Sequence, residues 1–194
     1  PELVLNTTPA QNAVYDSYDV LTFTATFLYT VQPGDYSADL DYATFDALIL
    51  GLATIKDIAG NDANTELFTP GQEGSLGSNK NIVIDAVAPE VVNVTSQNFN
   101  QTYGTGKQII IDVEFNKPVF VTGGNPILNL NSTGSGTNAF ATWNGFGSGT
   151  NTLHFIYVVL EGHQSADLNY TATNSLEFNG SEIRDGSNTL ADLT

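Results

Sequence analysis

The chain has 194 residues, 21 acidic against 5 basic side chains, a net charge of −16 and no cysteine. That charge repels nucleic acid and anionic lipid and attracts cations, and the missing thiols exclude disulfides and thiolate metal sites. No run of 18 apolar residues occurs, so no helical membrane insertion is expected, and no basic, apolar leader opens the chain, so any signal peptide is expected to have been removed or to lie outside it.

In chain order, the first clear element is Leu21–Tyr29. Leu21, Phe23, Ala25, Phe27 and Tyr29 share one face, and Thr22, Thr24 and Thr26 share the other. Such period-2 alternation predicts a half-buried strand. Ile82 and Ile84 mark a strand before Asp85. AVAPE at 86–90 then reads as a boundary, because proline ends a strand and stiffens the junction. Val92 and Val94 are expected to point inward. Ile109, Ile111, Val113 and Phe115 form the apolar face of the next strand, with Gln108, Asp112 and Glu114 opposite. Leu153, Phe155, Tyr157 and Val159 continue the pattern. Gly- and Asn-rich breaks at 104–106, 122–125 and 144–150 separate the runs and read as turns, since neither a Lys-Ser/Thr pair nor a helix follows them as in a phosphate loop. No window carries a helical stripe. The expected class is all-β, as tandem two-sheet antiparallel sandwiches.

The hexamer SADLDY at 37–42 returns as SADLNY at 165–170. At this constant offset of 128, nine of the 24 positions from Gly34 to Asp57 are identical. The two stretches are copies of one unit. PELVLNTT at 1–8 also matches PILNLNST at 126–133, with a three-residue shift, which makes Asn6 and Asn131 equivalent. A rival register sets Pro1-Glu2 on Pro89-Glu90 and Tyr15 on Tyr103, at the cost of a long deletion after Phe27. In the first register, residues 1–89 lack a counterpart of 91–125, and residues 90–194 lack a counterpart of 67–89. The expectation is one module at 1–89 without its N-terminal strands and a second at 90–194 without its last strand.

YTVQPGDYSADLDY at 29–42, KDIAGNDA at 56–63 and SLGSNKNIVIDAVAPEV at 75–91 resemble the bacterial immunoglobulin-like, cadherin-like repeats of large surface adhesins. The resemblance implies Ig-like sandwiches in tandem, an extracellular or cell-surface location, and stalk or adhesive duty. In some relatives, Asp residues around the D-x-x-G-N turn and the module junction bind structural calcium. Carried onto this chain, the candidate set is Asp57, Asn61, Asp62, Asp85 and Glu90. The second copy, RDGSNTLAD at 184–192, departs from the pattern: it reads as one residue shorter and lacks the Gly-Asn pair in register. His163 replaces the acidic Asp35.

Six N-glycosylation sequons begin at Asn6, Asn93, Asn100, Asn131, Asn169 and Asn179. Asn6, Asn93, Asn131 and Asn169 alternate with inward apolar residues and so point outward. Asn100 and Asn179 fall in turn-like stretches. N-linked glycans are therefore weighed against plain polar surface. Asp39 and Asp41 share one strand face at a spacing that suits a shared calcium ion, weighed against a solvated face. His154 and His163 have no nucleophile and no orienting third group beside them, so both read as surface histidines and no enzyme is expected. Trp143 and the tyrosines suit either core packing or sugar stacking.

The function expected from the sequence is structural. Modules short of strands expose sheet edges, and edges pair with other chains. Copies of the chain would associate head to tail into a filament, with no catalytic cofactor, no nucleic acid and no membrane-inserted segment. The alternative is a calcium-dependent adhesin segment that binds surface glycans or a protein partner.

Overall fold

The computed structural model describes residues 1–134 and 139–194. The described residues form antiparallel sheets and one four-residue helix. They divide into two compact units, Pro1–Val87 and Ala88–Thr194.

The first unit contains β1 (Glu2–Val4), β2 (Asn12–Asp19), β3 (Thr24–Leu28), β4 (Tyr36–Ser37), β5 (Leu48–Ile49), α1 (Leu76–Asn79) and β6 (Ile84–Asp85). Its main sheet has the order β3-β2-β1-β5, and β4 pairs with β6 separately. The buried centre is small: Leu5, Ala13, Leu40 and Ile84, with Leu3, Phe27, Tyr29 and Leu76 against them. The strand expected over 21–29 begins only at Thr24, because residues 20–23 form the hairpin turn and Phe23 takes a positive φ of 56°. Leu21 and Phe23 consequently point into solvent.

The second unit contains β7 (Val91–Ser96), β8 (Gln108–Gly123), β9 (Ile127–Asn129), β10 (Phe140–Trp143), β11 (Thr150–Val158), β12 (Leu176–Glu177) and β13 (Ser181–Arg184). The order is β12-β9-β10-β11-β8-β13, with β7 also on β8. Ile109, Ile111, Val113 and Phe115 of β8 are all buried, as their alternation predicts. They pack with Leu153, Phe155 and Tyr157 of β11, and Ile183 of β13 joins the same core. The register of β8 on β11 breaks between Thr150↔Val119 and Thr152↔Glu114. Pro118, which has no N–H to give a ladder, falls inside this irregular stretch, the place where a strand tolerates proline. A second irregularity, between Val91 and Asn93 of β7, leaves Val92 exposed and not inward as its alternation suggested.

The same strand pairings occur in both units. Leu3 faces Leu48 and Ala13, and Leu128 faces Leu176 and Ala141. Tyr15 faces Phe27, and Trp143 faces Phe155. Leu5 bridges Tyr42, and Leu130 bridges Tyr170. Thr8 and Thr133 are thus 125 apart, whereas Ala13 and Ala141 are 128 apart, so the three extra residues fall between Thr133 and Ala141. The pairing follows the register of PELVLNTT on PILNLNST. In the rival register Tyr15 would match Tyr103, which precedes β8 in a loop and pairs with no strand.

Two differences separate the units. No strand of the first unit stands where β7 and β8 stand in the second, so β3 is a sheet edge. Ile55, equivalent to the fully buried Ile183, is 41% exposed. Conversely, no described residue of the second unit stands where β6 and α1 stand in the first. The burial contrast predicts that Ile183→Ala costs about 2–5 kcal/mol, whereas Ile55→Ala in the isolated chain costs under about 1 kcal/mol; urea unfolding of the two variants measures the difference.

Candidate functional site

The repeated hexamer forms the best-defined polar structure in each unit. It wraps round one asparagine. Asn6 Nδ2 donates to the Asp39 carbonyl at 2.8 Å, and its Oδ1 accepts from Ser37 Oγ and the Asp41 N–H, both at 3.0 Å. Asn131 repeats the pattern on Asp167, Ser165 and Asn169 at 3.0, 3.0 and 2.9 Å. An amide suits this task because it offers a donor and an acceptor at once, which neither Asp nor Ser does in the same shape. The clamp fixes the turn that leads into Leu40 and Leu168.

Around this common clamp the units diverge. In the first, residues 67–86 close over the hexamer. Tyr42 Oη donates to the Phe68 carbonyl at 2.6 Å, the Leu40 N–H to the Ile82 carbonyl at 2.7 Å, and β6 pairs Ile84 with Ser37 and Asp85 with Tyr36. Asp41 is buried under the cover. Burial pushes its carboxyl up, but N–H groups of Gly71, Tyr42 and Gly77 and the Ser75 hydroxyl outweigh that and hold it below the usual carboxylate range. A Cβ on Gly77 would stand 2.9 Å from Asp41 Oδ2 and 3.4 Å from Asp39 Oδ2, so both carboxylates face this glycine. Asp35 is buried as well. Desolvation again opposes its charge, and Tyr29 Oη, the Gln32 N–H and Gln11 Nε2 more than compensate, so its carboxyl is also depressed. Burial, then the Asp35 carboxylate, pushes Tyr29 up to about 12.

In the second unit no described residue forms such a cover. Tyr170 is 42% exposed against 7% for Tyr42. A groove of about 570 Å³ runs beside the hexamer, lined among others by Val94, Tyr103, Leu130, Tyr157, Leu168 and Tyr170. His163 stands where Asp35 stands. Its Nδ1 lies 2.9 Å from Tyr157 Oη and accepts from the Leu160 N–H at 3.4 Å. Its Nε2 is buried and has no hydrogen-bond partner among the described residues.

The six sequon asparagines are all exposed. Their amides differ. Those of Asn6 and Asn131 hold the clamps, Asn179 Nδ2 donates to the Asn125 carbonyl, and Asn93 Nδ2 reaches Glu114 at 3.4 Å. Asn100 and Asn169 keep Nδ2 unengaged among the described residues, and both line the groove. Sequence alternation located the exposure but carried no sign of these bonds.

The calcium candidates are dispersed among other duties. Asp57 accepts from the Asn61 N–H and Nδ2, both at 2.8 Å, and Asp62 pairs with Lys56. Asp85 lies on β6, and Glu90 belongs to the other unit. No group of three or more His, Asp or Glu suited to a metal ion occurs among the described residues. The second turn is not shorter. Asp185 receives the Thr189 N–H and Asn188 takes a φ of 68° where Gly60 takes 91°, so Asp-x-x-Asn-Thr builds the same turn at the same length. Elsewhere, His154 Nδ1 lies 2.6 Å from Asp112 Oδ1, and Trp143 Nε1 donates to the Phe146 carbonyl at 2.8 Å.

No family model, curated protein or solved structure matches the chain.

Two predictions follow from the clamp and its cover. Asn6→Ala strands donors and acceptors under a lid and costs about 1–3 kcal/mol; Asn131→Ala leaves its partners open to water and costs less, as denaturant titration of each variant reports. Asp35 and Asp41 ionise more easily folded than unfolded. Their stabilisation is fully present above the unfolded carboxylate range near about 4 and is lost as pH falls through their lower folded values. Acid titration followed by tyrosine fluorescence should find the first unit melting in that window, and Asp41→Asn should flatten the slope.

Proposed function

We propose that this chain is a segment of an extracellular fibre or stalk of repeated Ig-like sandwich modules, in which neighbouring copies supply the strands that each unit lacks. One observation carries the reading: positions buried beneath β8 in the second unit are open in the first. Phe155 and Ile183 are fully buried, whereas Phe27 is half-buried and Ile55 is exposed. β3 presents an unpaired edge, and Leu21, Phe23, Leu52 and Ile58 are exposed apolar side chains of the same unit. An open edge beside an apolar face is a seat for added strands. Contacts that use different patches on the two partners do not close on themselves and extend into filaments. The exposed sequons suit a glycosylated surface protein, and a net charge of −16 keeps long assemblies soluble.

The adhesin reading has Phe99, Tyr103 and Tyr170 on the groove in its favour, since aromatic faces stack on sugars. The fibre reading accounts for both open surfaces and is preferred.

Two measurements test it. Sedimentation across a wide concentration range should reveal concentration-dependent association of the chain. A fusion that places a copy of residues 88–125 directly before Pro1 should pair β3, protect its amides from hydrogen exchange and raise the melting temperature. A monomer at every concentration, with no gain from the fusion, would sink the proposal.

A further inference from the structure

The first unit displays an occupant with no counterpart among the described residues of the second. Residues 82–86 run beside the hexamer as an extended strand. Ile84 enters the small core between Leu5 and Leu40. The strand is held by the Ser37↔Ile84 and Tyr36↔Asp85 pairs, by Leu40 N–H to the Ile82 carbonyl, by Gly34 N–H to the Ala86 carbonyl at 2.8 Å and by Ala86 N–H to the Asp35 carbonyl at 2.8 Å.

Every receiving group has its counterpart in the second unit at the same spacing: Gly162, His163, Gln164, Ser165 and Leu168, with Leu130 in the place of Leu5. The N–H groups of Gly162 and Leu168 make no hydrogen bond among the described residues. Leu130 and Leu168 line the open groove. The clamp that orients the receiving edge is already built by Asn131. His163 lines the same groove, and its buried Nε2 has no hydrogen-bond partner among the described residues.

We infer that this groove is a docking site for an extended strand of the Ile82–Ala86 type, carried by a neighbouring repeat. The inference rests on the fibre reading for the source of the strand but not for the site. The strand lies antiparallel to residues 164–165. Its second apolar residue, equivalent to Ile84, drops between Leu130 and Leu168. Its carbonyls accept from Leu168 N–H and Gly162 N–H, and the His163 carbonyl accepts from the strand. Alternation gives specificity, because only the inward residue meets the groove floor.

A synthetic peptide of residues 80–87 and the unmodified 194-residue chain test the site. Binding by titration calorimetry and amide exchange should protect Gly162 and Leu168 and leave the amide of Leu40, already bonded, unchanged. The Ile84→Asp peptide should bind at least about tenfold more weakly, since the lost burial of one Ile side chain is worth that much or more. Equal binding of both peptides, or protection absent from Gly162 and Leu168, overturns the inference; so does a panel of oligosaccharides that binds the groove while the peptide does not. Peptide docking on a chain that stays monomeric and gains nothing from the 88–125 fusion would sustain the site and sink the fibre reading. Association of a chain whose Gly162 and Leu168 amides never gain protection would do the reverse.

Discussion

A strand of this chain is stable when two conditions hold together: its backbone groups find partners on both sides, and its apolar face is covered. Each unit meets the conditions on one side only. In the second unit β8 supplies both for β11 and β13, and Phe155, Leu153 and Ile183 disappear from solvent. In the first unit nothing among the described residues takes the place of β8, and the equivalent positions stay open. The cover formed by residues 67–86 reverses the situation on the other side, burying Asp41 and Tyr42 where Asn169 and Tyr170 are exposed. The cost of an open edge and the cost of open apolar area fall in the same places, so both would be relieved by the same added strand.

The repeated hexamer owes its near identity to the asparagine it encloses. Ser37 and Ser165 supply a hydroxyl to Oδ1, Asp39 and Asp167 supply a carbonyl to Nδ2, and the N–H at position 41 or 169 completes the ring of bonds. Position 41 is the one place in the hexamer where the copies differ, and it is also where the cover bears. Asp41 is a carboxylate because Gly71 and Gly77 bring N–H groups to it under the cover. Asn169 meets no such donors among the described residues and uses its Oδ1 on the N–H of Tyr170. The single substitution tracks the presence of the lid.

The histidine substitution follows the same logic. Asp35 gathers three donors into a closed first unit. His163 in the second unit sets a ring nitrogen, Nε2, at the groove with no partner among the described residues. His163 Nδ1 lies beside Tyr157 Oη, which in turn donates to Ser132 Oγ.

Alternation at Gln108–Phe115 and at 153–159 was sufficient to place the main strands of the second unit, because a period of two is a local property of the chain. The offset of 128 likewise revealed which residues are equivalent, since identity needs no coordinates. The same alternation misjudged Leu21, Phe23 and Val92, where a hairpin turn and a strand irregularity intervene, and a residue count misjudged the length of the Asp185 turn. What lay beyond the sequence was burial at equivalent positions. Ile55 and Ile183 carry the same side chain in the same local pattern, and only the arrival of β8 from far along the chain separates them. Nor does a sequon motif say that the amides of Asn6 and Asn131 are already spent on a turn. Periodicity and repetition are written residue by residue, whereas cover and pairing depend on which distant strand comes to lie alongside, and that was decided by the tertiary structure alone.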